Sequence, residues 1–377
     1  MELSAEQEAT REAVREVARE EIDPIARETD RAARFPEDVW DTLADLDLTA
    51  VAVPEEYGGL DADRLTASLV VEEVASASLA VSTALGVHWL ATACIAEFGS
   101  AEQQSAWLPE MVGGRPVGAF ALSEPGAGSN PAEMSTTARR EGDEYVIDGE
   151  KMWITNGERS GVVILFAKTD ADDRTSITQF LVPTDVDGLA VGDPEDKLGL
   201  RASDTTSLTF DGVRIPAANR LTEEGRGLSA ALAILNGGRV TVAAQAVGLS
   251  RAALAAALDY VTEREQFDQP IGDFQAIRHE LAEMATTLRA ARLLTWDAAR
   301  RIDRGERARR AASMAKYFAT EGAVDVTNAA LQLHGGYGYL EGDVERYYRD
   351  AKVTTIYEGT TQIQKNIIAR ELLDGGL

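Results

Sequence analysis

The sequence predicts a mainly α protein with a β module set into its middle. Apolar residues recur at helical spacing from Leu3 to about Met111. Strand-like runs separated by turn signals fill the stretch from about Gly114 to Arg220, and long alanine-rich helical periodicity resumes near Gly225. The expected units are an N-terminal helical domain over 1–113, a central antiparallel sheet, barrel or sandwich over 114–222, and a C-terminal helical domain over 223–377.

The elements follow in order. Ser4 and Gln7 have the spacing of a capping box with Leu3 as its staple, and Val14, Val17, Ile22 and Ile25 continue the apolar stripe. Pro24 and "RFPEDVW" interrupt it, and "VPEEYGGL" is a turn. The run from Leu65 to Gly99 is apolar nearly all round, as a buried helix would be. In the β module, "GVVILFAK", "ITQFLVP" and "TSLTFDGV" are the strands, punctuated by Gly142-Asp143, Asp148-Gly149, Asp187-Gly188 and Asp211-Gly212. No internal repeat or low-complexity linker is present.

Composition excludes several classes of function. Net charge is -26, from 63 acidic and 37 basic side chains. Only Lys151, Lys168, Lys197, Lys316, Lys352 and Lys365 are lysines. Such self-repulsion is tolerated where salt shortens the Debye length to about 3 Å at 1 M, so a high-salt cytoplasm is expected. No basic stripe for phosphates is present, which argues against nucleic acid. No apolar run reaches the length of a membrane span, and the charged N-terminus resembles neither a signal nor a transit peptide, so a cytoplasmic location without membrane insertion is expected. Cys94 reads as core filler. His88, His279 and His334 are scattered and make no metal constellation, and His279 with Glu283 reads as an exposed helix pair. Neither a dinucleotide-binding glycine fingerprint nor a Walker A loop follows any strand.

Five segments carry possible chemistry. "FALSEPGAGSN" (Phe120 to Asn130) ends a strand in a glycine-rich loop whose N–H groups, with Ser123 and Ser129, suit a polar or anionic ligand; alone it is also an ordinary turn. "KMWITNG" puts Trp153 and Thr155 two apart on a strand, where they suit a flat heteroaromatic ring or, equally, a core. "REQFDQPIGDFQ" sets Arg264, Phe267 and Gln275 around a proline turn. "QLHGGYGY" (Gln332 to Tyr339) ends a helix in glycines. Finally, "YEGTTQIQ" holds Glu358 before the last helix, for which Thr361 and Gln364 are the expected capping box.

In this order and spacing, together with "VPEEYGG" and "LNGGR", these motifs resemble the acyl-CoA dehydrogenase family over essentially the whole chain. The resemblance implies an N-terminal helical domain, a central β-domain and a C-terminal four-helix bundle. It also implies FAD held without a dinucleotide-binding fingerprint. By position, Phe120, Leu122, Ser123 and Ser129 would line the flavin and thioester region, Trp153 and Thr155 would sit at the isoalloxazine ring, and Thr360 and Gln362 would contact the cofactor. Gln275 is a further cofactor position, and Arg264, Phe267, Gln332, Gly335 and Gly336 match positions that a neighbouring subunit offers to FAD, so a homo-oligomer, a tetramer built as a dimer of dimers, is implied. Ser129, Asn236, Arg239, Tyr357, Gly359 and Arg370 match substrate positions; the plain alternatives are a surface charge for Arg239 and a salt bridge for Arg370. The sequence departs from the family pattern at Asn130, Glu133 and Asp268, and in a loop after Tyr339 that is one residue short and lacks a proline.

The implied reaction is α,β-dehydrogenation of an acyl-CoA to the trans-2-enoyl-CoA, as in fatty acid β-oxidation. Glu358 would take the α-proton, hydride would pass to flavin N5, and electrons would go on to an electron-transfer flavoprotein. A helix dipole alone would favour an acid at this place by about 0.3–1 kcal/mol. Gly238, where some family members carry the base, cannot serve, which leaves Glu358. An acyl-CoA oxidase, a nitroalkane oxidase and a non-catalytic binding or assembly protein are the other readings; Glu358 counts against the nitroalkane oxidase, whose base is aspartate.

Overall fold

The computed structural model describes residues 2–375. The capping box at Ser4 and Gln7 opens α1 (Ala5–Val17), which runs through a π turn and a 3-10 turn into α2 (Ala26–Ala32). Next come α3 (Glu37–Asp45), α4 (Arg64–Ala77), α5 (Leu79–Phe98) and α6 (Ala101–Val112). The single buried helix expected from Leu65 to Gly99 is therefore two helices. Ser78 is extended (φ -147, ψ 113), and its hydroxyl accepts from the Val81 N–H, capping α5.

The middle of the chain forms one curled seven-stranded sheet: β1 (Gly118–Ala121), β2 (Thr137–Glu141), β3 (Glu144–Thr155), β4 (Val162–Lys168), β5 (Ile177–Pro183), β6 (Leu189–Val191) and β7 (Thr205–Pro216). Antiparallel pairing dominates, but β1 and β2 both run parallel to one edge of β4 while β5 takes its other edge. β4 is buried along its whole length, which explains its unbroken apolar sequence. Asn156 anchors the end of β3 against the helices, donating to the carbonyls of Ala84 on α5 and Gly118 on β1.

The rest is helical: α7 (Gly227–Glu263), a two-strand hairpin of β8 (Glu265–Gln266) and β9 (Gln269–Pro270), α8 (Gln275–Asp303), α9 (Arg309–Leu333), α10 (Asp343–Thr354) and α11 (Thr361–Gly375). Val240, Ala243 and Val247 of α7 meet Met284 and Leu288 of α8 and Ala315, Ala319 and Ala323 of α9 in one core, with Leu65 and Leu69 of α4 added. Alanines let these long helices pack closely at little helix-propensity cost. Contrary to the sequence expectation, α5 and α7 are long and apolar enough to cross a bilayer by length and composition; both are mostly buried within the protein. Cys94 is buried in the core, as expected.

Candidate functional site

The site begins where α10 ends. Thr355 to Thr360 form a tight turn closed by the Thr361 N–H on the Thr355 carbonyl. Inside it Glu358 (φ +53) and Gly359 (φ +93) are both left-handed, a conformation costing roughly 1–2 kcal/mol for a residue with a Cβ. The helix cap falls one residue earlier than expected: the Thr360 hydroxyl accepts from the Ile363 N–H. Thr361 instead donates to Glu321, and the Gln364 amide reaches back to the carbonyls of Glu358 and Gly359.

The turn aims the Glu358 carboxylate inward, against the face of α7 where Gly238 stands. A Cβ at position 238 would lie 3.4 Å from Glu358 Oε2 and 3.3 Å from Leu90. The two glycines of "LNGGR" are thus matters of space. Oε2 is buried and accepts no hydrogen bond among the described residues. Burial pushes the Glu358 carboxyl up, while Lys316 and Arg239 pull it back. Arg239 is no surface charge. It is 4% exposed, its Nη1 donates to Asn236 Oδ1 at 2.6 Å, and burial lowers it to about 10.

Beside the base lies a cavity of about 310 Å³ between α5, α7 and the α8–α9 connection. Gly86, Trp89 and Leu90 face Gly237, Gly238 and Thr241 across it, and its charged lining is Arg64 and Arg309 with Glu97 and Glu306. The Arg64 guanidinium lies over Gly237, where a Cβ would meet Cζ at 3.2 Å. Near its floor the helices almost touch, since a Cβ on Gly86 would be 3.2 Å from Thr241 Cγ2 and 3.5 Å from Gln245 Nε2. Tyr357 donates to Gln245 at 2.8 Å, and Gln245 donates to the Ser82 carbonyl at 3.1 Å. That buried bridge joins the base turn, α7 and α5.

The glycine-rich loop after β1 is built around Glu124. Its carboxylate accepts from the N–H groups of Ser135 and Thr136 and from Lys151 Nζ at 2.8 Å. Burial opposes its charge, yet Lys151 and these donors hold it at about 2. Gly126 and Gly128 have open space where a Cβ would stand, and Ser129 is exposed beside them. Phe120 and Leu122 are half-buried against the core below, and Ser123 accepts from the Met152 N–H through its carbonyl. Trp153 is not a core residue. A shift in the β3–β7 register between Lys151 and Ile154 gives it φ +62 and leaves it 57% exposed, with Thr155 half-buried two residues on.

A second set gathers elsewhere on the chain. Arg264, Gly335 and Gly336 line a cavity of about 450 Å³ with Tyr260, His334 and Tyr337. None of Phe120 to Ser129, Trp153 or Thr155 lines it. Gln275 and Gln332 are exposed on the neighbouring helix ends, and Phe267 is 85% exposed. Phe267 and Asp268 (φ +55 and +64) are the two left-handed residues of the β8–β9 turn, so aspartate stands in a glycine position that it tolerates. Asn130 reaches Glu133, which pairs with Arg174. Gln362 is exposed at the start of α11. Arg370 is exposed on α11, roughly 15 Å past Thr360 at 1.5 Å per residue.

Sequence reasoning did not single out Lys316, Gln245 or Arg64, and it gave Gln364 a capping role rather than its hold on the base turn. Lys316 left one signal, as one of six lysines set in the small, apolar helical run "AASMAKYFA".

Comparison with known proteins fixes the family. Models of the acyl-CoA dehydrogenase N-terminal, middle and C-terminal domains match residues 4–115, 119–213 and 225–373. Short-chain specific acyl-CoA dehydrogenase from Mus musculus is 42% identical over 376 residues, covering 99% of this chain and 91% of that protein. The 3-(aryl)acrylate reductase of Clostridium sporogenes is 41% identical, with 99% and 100% covered. The structure of butyryl-CoA dehydrogenase from Megasphaera elsdenii superposes with a TM-score of 0.97 at 36% identity, with 99% of each chain covered. Members of this family are FAD-dependent oxidoreductases. With one family accounting for helices, sheet and bundle in succession, the chain belongs to the acyl-CoA dehydrogenase family.

Proposed function

We propose that this chain is an FAD-dependent acyl-CoA dehydrogenase with Glu358 as its base. The observation that carries this is a half-buried glutamate held in a left-handed turn beside a cavity, with one carboxylate oxygen buried and unpartnered. The residues fit a flavin. Trp153 offers an exposed aromatic face, and the loop at Gly126 and Gly128 leaves room for close approach to its backbone. Bound FAD supplies the hydride acceptor for the β-carbon. The rest belongs to the protein. Glu358 takes the α-proton of the thioester, and its own N–H, which meets no acceptor among the described residues, is a donor for the thioester oxygen. Asn236 and Arg239 bind the CoA portion beside it.

The half-site at Arg264 and Gly335 supports completion of the cofactor site by a second copy of the chain, and hence a homo-oligomer. An electron-transfer flavoprotein is the proposed acceptor, following the family resemblance.

The cavity floor supports a short, straight acyl chain. From Gly238 to Thr241 is three residues of α7, a rise of roughly 4.5 Å, and about one turn further on the helix is tied to the base turn and α5 through Gln245. Anaerobic bleaching of the flavin against a panel of acyl-CoAs tests this, with a maximum expected at a few carbons. Glutaryl-CoA belongs in the panel as a test of whether Arg64 and Arg309 outweigh Glu97 and Glu306 in the cavity lining. Gln245→Ala should move the optimum to longer chains. Glu358→Gln should fold and stay yellow, with reduction slowed about 10²–10⁴-fold, the usual worth of a general base. Near-normal bleaching by that variant would overturn the assignment.

A further inference from the structure

Lys316 is fully buried on α9, in a chain with only six lysines. A buried ammonium costs several kcal/mol in desolvation unless the site repays it. No carboxylate lies within ion-pair distance of Lys316 among the described residues. Its Nζ donates instead to two backbone carbonyls, Thr354 at 3.0 Å and Gly359 at 2.8 Å. Those carbonyls bracket the turn that carries Glu358. The first belongs to the last residue of α10 and the second to the residue after the base. Gln364 holds the same Gly359 carbonyl from α11 at 2.9 Å.

The charged and titratable groups around the base come from three elements. Arg239 stands on α7, with Arg309 from the head of α9 next to it. Lys316 stands on α9, with Glu321 beside it, and Glu321 already accepts from Thr361. Tyr357 is the neighbour within the turn, and its hydroxyl is committed to Gln245. Lys316 and Arg239 are the positive charges that oppose the effect of burial on the base.

We propose that Lys316 is the positioning residue of the catalytic base. Its ammonium clamps both ends of the left-handed turn and supplies the positive charge that offsets the burial of the Glu358 carboxylate. The inference rests on Glu358 being the base. Anchoring and charge are separable contributions. A neutral amide at position 316 can still donate to the carbonyls, although its side chain is one bond shorter, whereas a thioether can neither donate nor carry charge.

The test uses the FAD-loaded enzyme and the pH profile of kcat/KM for Lys316→Gln and Lys316→Met. Losing one of the two positive charges that act on the Glu358 carboxylate raises it, by up to about 1–3 pH units. Both variants should therefore keep yellow flavin and a folded melting profile, while their acid limb moves to higher pH by about that amount. On the plateau, kcat should fall more in Lys316→Met than in Lys316→Gln, with flavin content unchanged in both. An acid limb left at the wild-type position in both variants would overturn the proposal. So would loss of fold or flavin in both, which would make Lys316 a structural bond only. Failure of the base assignment shows separately, as turnover retained by Glu358→Gln.

Discussion

Glu358 occupies a backbone conformation that glycine adopts freely and glutamate does not, and its neighbours explain how it stays there. Lys316, Gln364 and the Thr361–Thr355 bond fix the turn from three sides. Gly238 supplies the space for the carboxylate, so Gly238→Ala sets a methyl group 3.4 Å from Oε2. The alanine improves helix propensity by up to about 1 kcal/mol. Turnover should therefore fall while the melting temperature holds or rises. Unchanged turnover would mean that Glu358 does not use the space over Gly238.

At the scale of elements, the glycine-rich loop depends on one buried ion pair. Lys151 is fully buried and meets a Glu124 that is 4% exposed. Burial lowers Lys151 to about 8 even with Glu124 beside it. Removing one partner of such a pair typically costs about 3–5 kcal/mol. Lys151→Met should lower stability by that order in urea unfolding and weaken flavin retention, since Glu124 also holds the N–H groups of Ser135 and Thr136. The loop motif was plain in the sequence. Its support was not, because Glu124 and Lys151 are 27 residues apart and meet only when β1 and β3 come together.

For the whole molecule, the net charge of -26 is the dominant long-range feature. Its self-repulsion is expected to make stability depend on salt, with the melting temperature rising as KCl approaches 1 M, where the Debye length falls to about 3 Å. A flat response between dilute buffer and 1 M KCl would remove the need for a saline setting. The exposed rings of Phe267, Tyr337 and Tyr339 lie on the face that carries the second half-site. Sedimentation in salt should find an oligomer. Arg264→Ala should leave that assembly intact and lower flavin content.

The order of helices, sheet and helices was legible because periodicity is local, and the motif set was legible because each motif is contiguous. Glu358 could be picked out in a single turn. Other features exist only in three dimensions. The break at Ser78 divides a run whose composition is helical throughout, and the exposure of Trp153 follows from a shift in strand register. The roles of Lys316, Gln245 and Arg64 depend on which helix faces lie against the base turn and its cavity. The sequence by itself determined which residue is the acid at the turn. Tertiary packing decided that this acid's Oε2 is buried, aimed at Gly238 and acted on by two positive charges, because burial and charge proximity are properties of neighbours distant in the chain.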